Sequence, residues 1–71
     1  MTYTDQGPTF TWFRIFASNL QPHDLIPNNN RLVTVFKVES DRVARVEVID
    51  KGAHEVLVFG ALVLIEGFRP A

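Results

Sequence analysis

Two histidines, two serines and no cysteine limit the chemistry open to this chain of 71 residues. His23-Asp24 is an adjacent histidine–carboxylate pair. Acid–base catalysis needs such a pair in a cleft, with a nucleophile or substrate in reach. Ser18 and Ser40 sit in no nucleophile motif. The pair therefore reads as a turn in which Asp24 accepts backbone hydrogen bonds and His23 is solvated. A metal site drawn from His23, His54, Asp24 and Glu55 would lack thiolates and any regular ligand spacing. His54 follows a turn at Asp50–Gly52, where a solvated side chain is ordinary. Gly7, Gly52, Gly60 and Gly67 are isolated, so no phosphate-cradling loop is present. No catalytic residue, metal or cofactor is expected, and the chain reads as a non-enzyme.

One constellation stands above this background, and it combines aromatics with arginine. Trp12 and Arg14 share a face of the first strand, and Phe36 and Arg45 are expected to face each other across a hairpin. Small barrels bind single-stranded nucleic acid by stacking bases on aromatics beside cations. Aromatic grooves also take proline-rich peptides. The competing reading buries Trp12 and Phe36 and leaves the arginines as rim charges, with an added cation–π contact. A net charge of −1 and a pI near 6.0 argue against nucleic acid, whose binding rests on phosphate neutralisation. Trp12, Arg14, Phe36 and Arg45 are thus candidate partner-binding residues, and the partner expected is a protein.

The element that must position these residues is the stretch from Arg31 to Phe59. β-branched residues recur there at every second position, interrupted at Ser40-Asp41 and at Asp50-Lys51-Gly52. That is the pattern of three antiparallel strands. A two-residue turn at Ser40-Asp41 sets Glu39 opposite Arg42, Val38 opposite Val43, Phe36 opposite Arg45 and Val35 opposite Val46. Val33, Val35, Val46 and Val48 then form a uniformly apolar core face. Glycine at position 52 supplies the positive φ of a tight hairpin. A two-residue loop at Lys51-Gly52 places Leu57 and Phe59 on the core face; a three-residue loop with a bulge would shift them.

The flanks complete the sheet. Residues 1–8 read as a loose polar tail, with neither the basic start nor the apolar centre of a secretory signal. Thr9 to Ala17 is a strand apolar on both faces, with Phe10, Trp12, Arg14 and Phe16 on one of them. Ser18-Asn19-Leu20 could begin one helical turn capped by Ser18, and Pro22 stops it. Asp24-Leu25-Ile26 is a candidate short strand. Asn28-Asn29-Asn30 is an exposed turn, since asparagine tolerates left-handed backbone. The apolar run Val56 to Ile65 is ten residues, well short of the ~20 of a spanning helix. It reads as paired strands kinked at Gly60, with the last strand at Ala61–Glu66 and Phe68 a plug for one barrel end. A chain this short buries only about 60% of its extended surface, so its 46% apolar content must supply the stability.

Ala17-Ser18-Asn19-Leu20-Gln21-Pro22-His23-Asp24-Leu25-Ile26, then Arg31-Leu32-Val33-Thr34-Val35 after a polar loop, resembles the opening of short SH3-like barrels. Their pattern is A-x-x-L-x-P-G-D-x-I, loop, x-V-x-V, and His23 stands where glycine is usual. KOW-type translation-factor domains resemble it, as do small proteins of actinobacteria and their phages. The resemblance implies a fold and carries no catalytic residues across. The expectation is one all-β domain over 9–71, a small five-stranded antiparallel SH3-like barrel or rolled sheet. It is read as a cytoplasmic protein-binding module, a phage or bacterial accessory protein, not directed to membrane or nucleic acid. Apolar residues on both faces also make it a candidate homodimer or a subunit of a homo-oligomer.

Overall fold

The computed structural model describes residues 9–70. Six strands form one antiparallel sheet: β1 (Phe10–Phe16), β2 (Leu25–Asn28), β3 (Arg31–Ser40), β4 (Val43–Asp50), β5 (Ala53–Gly60) and β6 (Leu64–Pro70). A 3-10 turn, Ala17–Asn19, follows β1. The spatial order is β1-β6-β2-β3-β4-β5, so among the described residues β1 and β5 are the edge strands. The all-β class agrees with the alternation. The strand number and closure do not: there are six strands rather than five, and the sheet is not closed into a barrel. The sixth is β2, Leu25–Asn28, where the candidate short strand at Asp24-Leu25-Ile26 forms and turns tightly into β3. The expected tail at 1–8 lies outside the described residues.

The sheet is nevertheless strongly bent. Flat, its two edges would lie roughly 24 Å apart at the usual strand spacing. Instead Phe13, Ile15 and Ile65 at one end and Leu57 and Phe59 at the other pack on a single buried cluster. That cluster is Ala17, Leu20, Ile26, Val33, Val35, Ala44, Val46 and Val48. The four valines expected on the core face are all there. The 3-10 turn touches both β3 and β4 and fills the concavity. Ser18 lies inside this turn, and no side chain caps it.

Two hairpins follow from local backbone chemistry. Asn29 and Asn30 have φ of 54° and 66°, which makes a two-residue turn of the kind that suits strand twist. Lys51 and Gly52 do the same at 53° and 82°, and the register Val46–Leu57 and Ala44–Phe59 puts Leu57 and Phe59 on the core side as expected.

The β3–β4 hairpin departs from expectation. Ser40 pairs with Ala44, Glu39 with Arg45, Val38 with Val46 and Lys37 with Glu47, before a bulge between Val35 and Lys37 restores Val35 opposite Val48. The extra residue is Phe36. Three residues rather than two therefore lie between Ser40 and Ala44, and Phe36 does not face Arg45. A bulge lets Val33 and Val35 share the core face with Val38 although their numbers differ in parity. It also gives opposite charges two cross-strand pairs, Lys37–Glu47 and Glu39–Arg45, which a strict alternation would misplace.

The last strand also moves. Gly60–Val63 forms a turn closed by Val63 N–H donating to the Gly60 carbonyl at 3.1 Å, and β6 starts at Leu64 rather than Ala61. Gly67 lies within β6 because β2 crosses it closely: a Cβ there would sit 2.2 Å from the Leu25 carbonyl oxygen. Phe68 is no barrel plug; it is a paired strand residue opposite Trp12.

Candidate functional site

The side of the sheet turned away from the core is where the predicted site residues come out. One row of paired residues crosses all six strands on this side: Trp12–Phe68, Phe68–Leu25, Leu25–Thr34, Thr34–Ile49 and Ile49–His54. Strand alternation then assigns their neighbours at every second position to the same face.

Over β1 and β6 this outer face is apolar. Phe10, Trp12 and Phe16 on β1 face Pro70, Phe68 and Leu64 on β6. Trp12 is 57% exposed and Phe16 is 41% exposed. Leu32, opposite Pro27, extends the apolar surface toward β3. In the middle stands one charged row, Arg14 opposite Glu66, with Arg14 Nε 3.8 Å from Glu66 Oε2 and both side chains more than half exposed. Such an exposed pair adds little to stability.

Over β3, β4 and β5 the same face mixes charged residues with the exposed Val56 and Val58 of β5. Lys37, Glu39, Arg45 and Glu47 surround a shallow hollow of about 120 Å³ with Val56 on its wall. Lys37 Nζ lies 3.2 Å from Glu39 Oε2. Signs alternate along and across the strands, with Lys37 paired to Glu47 and Glu39 to Arg45 in register. The bulge turns Phe36 outward beside Lys37. Its ring meets His54 edge-on at 5.5 Å between centroids, and His54 Nδ1 is 3.9 Å from Glu47 Oε1.

The structure thus places Trp12 and Arg14 together, as β1 alternation requires. Phe36, half exposed, and Arg45 lie in the charged zone, apart from Trp12 and not opposite each other. The residues that sequence reasoning missed are Phe68, Leu64 and Glu66, which complete the apolar face. Their alternation, Leu64-x-Glu66-x-Phe68, was legible, but ending the last strand at Glu66 hid it.

No hydrogen bond joins His23 to Asp24, and each is held by other partners. His23 has φ 79° and its N–H donates to the Val35 carbonyl at 2.8 Å. Asp24 is fully buried. Arg69 Nε donates to Asp24 Oδ1 at 2.8 Å and Nη2 to Oδ2 at 2.9 Å, while the Gln21 N–H donates to Oδ2 at 2.8 Å. The guanidinium also donates to the Asn19 carbonyl and lies 5.2 Å from the Phe13 ring centre. This two-pronged bond ties the loop before β2 to the end of β6, so it holds the apolar face in place from behind. The hydrogen bond to Asp24 raises the Arg69 pKa above the usual guanidinium range, against the opposing cost of burial.

Among the described residues, no group of three or more His, Cys, Asp and Glu is placed to hold a metal. None of the described helices is long and apolar enough to cross a membrane. No protein-family model, curated protein or solved structure matches this chain.

Proposed function

We propose that this chain is a non-enzymatic binding module that acts through protein–protein contact on the outer face of β1 and β6. The observation that carries this reading is Trp12, 57% exposed at the centre of an apolar surface built by two paired strands. Exposed apolar patches of several hundred Å² mark interaction sites in soluble proteins. Tryptophan and arginine are the side chains most often decisive there. Trp12 and Arg14 belong to the contact, whereas Phe36 and Arg45 lie outside it on β3 and β4.

Two finer readings accompany it. The resemblance to short SH3-like barrels is supported at His23: the position where that pattern has glycine carries a positive φ of 79°. On that resemblance we also propose a cytoplasmic home and a bacterial or phage accessory role. Partner capture should be compared between the wild-type chain and a Trp12→Ala variant with an unchanged far-UV spectrum. A partner retained by the first and lost by the second is the expected result; identical captures refute the assignment to this face.

Single-stranded nucleic acid is a second reading, favoured by Trp12 and Phe68 as stacking surfaces beside Arg14. Against it, Glu66 already engages Arg14 and the net charge is −1. Oligonucleotides should leave Trp12 fluorescence unchanged at low salt; quenching that fades as salt rises would favour this reading instead.

A further inference from the structure

We infer that the partner of the β1–β6 face is a second copy of this chain, stacked face to face about a twofold axis that runs along the strands between β1 and β6. The inference rests on the binding-module reading above and names its partner.

The arrangement of rows makes this face complementary to itself. Rotation about such an axis sets each β1 residue over the β6 residue that it faces within its own chain. Trp12 then stacks on Phe68 of the second copy, Phe16 on Leu64 and Arg14 on Glu66, each with its reciprocal contact. Every row is apolar on apolar or cation on anion. A twofold laid across the strands through the Arg14–Glu66 row would instead set arginine on arginine and glutamate on glutamate. Charge therefore selects the register as well as the partner.

Area and bulk agree. Aromatic side chains present about 150–250 Å² each, and the exposed parts of Phe10, Trp12, Phe16 and Phe68 come to roughly 350 Å². With Leu64, Leu32 and the stems of Arg14 and Glu66, the face comes to roughly 600 Å² per partner, the lower end of specific interfaces. The fully buried cluster, in contrast, contains no aromatic residue at all. A chain this short gains from covering its bulkiest side chains against a partner always present at its own concentration.

The test is sedimentation equilibrium of the whole chain with a charge swap. The wild type should be dimeric at micromolar concentration. Arg14→Glu and Glu66→Arg should each raise the dimer Kd about tenfold or more, since each sets like charges across the contact. An equimolar mixture of the two variants should associate again. Mixing cannot restore the pair inside either chain, so recovery reports the contact between chains alone. Trp12→Ala should weaken the dimer similarly. A monomeric wild type overturns the inference, as does a dimer indifferent to all three substitutions, or a mixture that stays dissociated. A monomer that floats with neutral phosphatidylcholine vesicles overturns it in favour of a lipid surface. A monomer whose capture of another protein needs Trp12 overturns only the second copy and leaves the binding-module reading standing.

Discussion

The inner and outer faces of this sheet share bulk in an unusual way. Inside are valines, alanines and Ile26, each almost wholly shielded. Outside are Trp12, Phe10, Phe16, Phe36 and Phe68, each more than a third exposed. Curvature explains the difference. A six-stranded sheet bent tightly enough for both ends to share one core leaves a narrow concavity, which small branched side chains and the Ala17–Asn19 turn already fill. Protein interiors are close-packed, so of the large rings only Phe13 and Phe59 reach this cluster, at its margin, and the others lie outside. The lesson is that strand alternation sorts residues between two faces, whereas curvature decides what size each face can hold.

That contrast predicts where substitutions act. The largest loss should come from Arg69→Met, which leaves the buried Asp24 carboxylate with the Gln21 N–H as its remaining hydrogen bond and costs about 3–5 kcal/mol in urea unfolding. A variant as stable as the wild type would show that the loop before β2 needs no anchor. Gly67→Ala follows at about 3 kcal/mol, because its new methyl meets the Leu25 carbonyl, a backbone atom that cannot move aside cheaply. Val46→Ala, a truncation inside the valine cluster, should lower stability by about 2 kcal/mol. On the outer face, Phe36→Ala should change the stability of the dilute chain by less than about 1 kcal/mol despite removing a larger side chain. If Phe36→Ala costs more than Val46→Ala, the contrast between the faces fails.

How far residues alone reveal this molecule depends on the range of the interaction involved. At Asn29-Asn30 and Lys51-Gly52 the turn conformation is local, and the residue types that tolerate positive φ announce it. The inward set Val33, Val35, Val46 and Val48 is likewise local, since it needs only alternation. The bulge at Phe36 is not announced, because it arises from matching two strands at once: it keeps valines inward while pairing Lys37 with Glu47 and Glu39 with Arg45. Trp12 and Arg14 share a face on any straight strand. Their meeting with Phe68 and Glu66, more than fifty residues away, depends on β6 entering between β1 and β2.

Short-range chemistry in the chain thus determined the strand class, two hairpins and the valine core. Tertiary structure alone decided the open edges, the partner of Asp24 and the exposure of Trp12. The reason is physical. Turn geometry and face alternation act within a few bonds, while strand order and burial are settled when distant segments compete for one small concave volume.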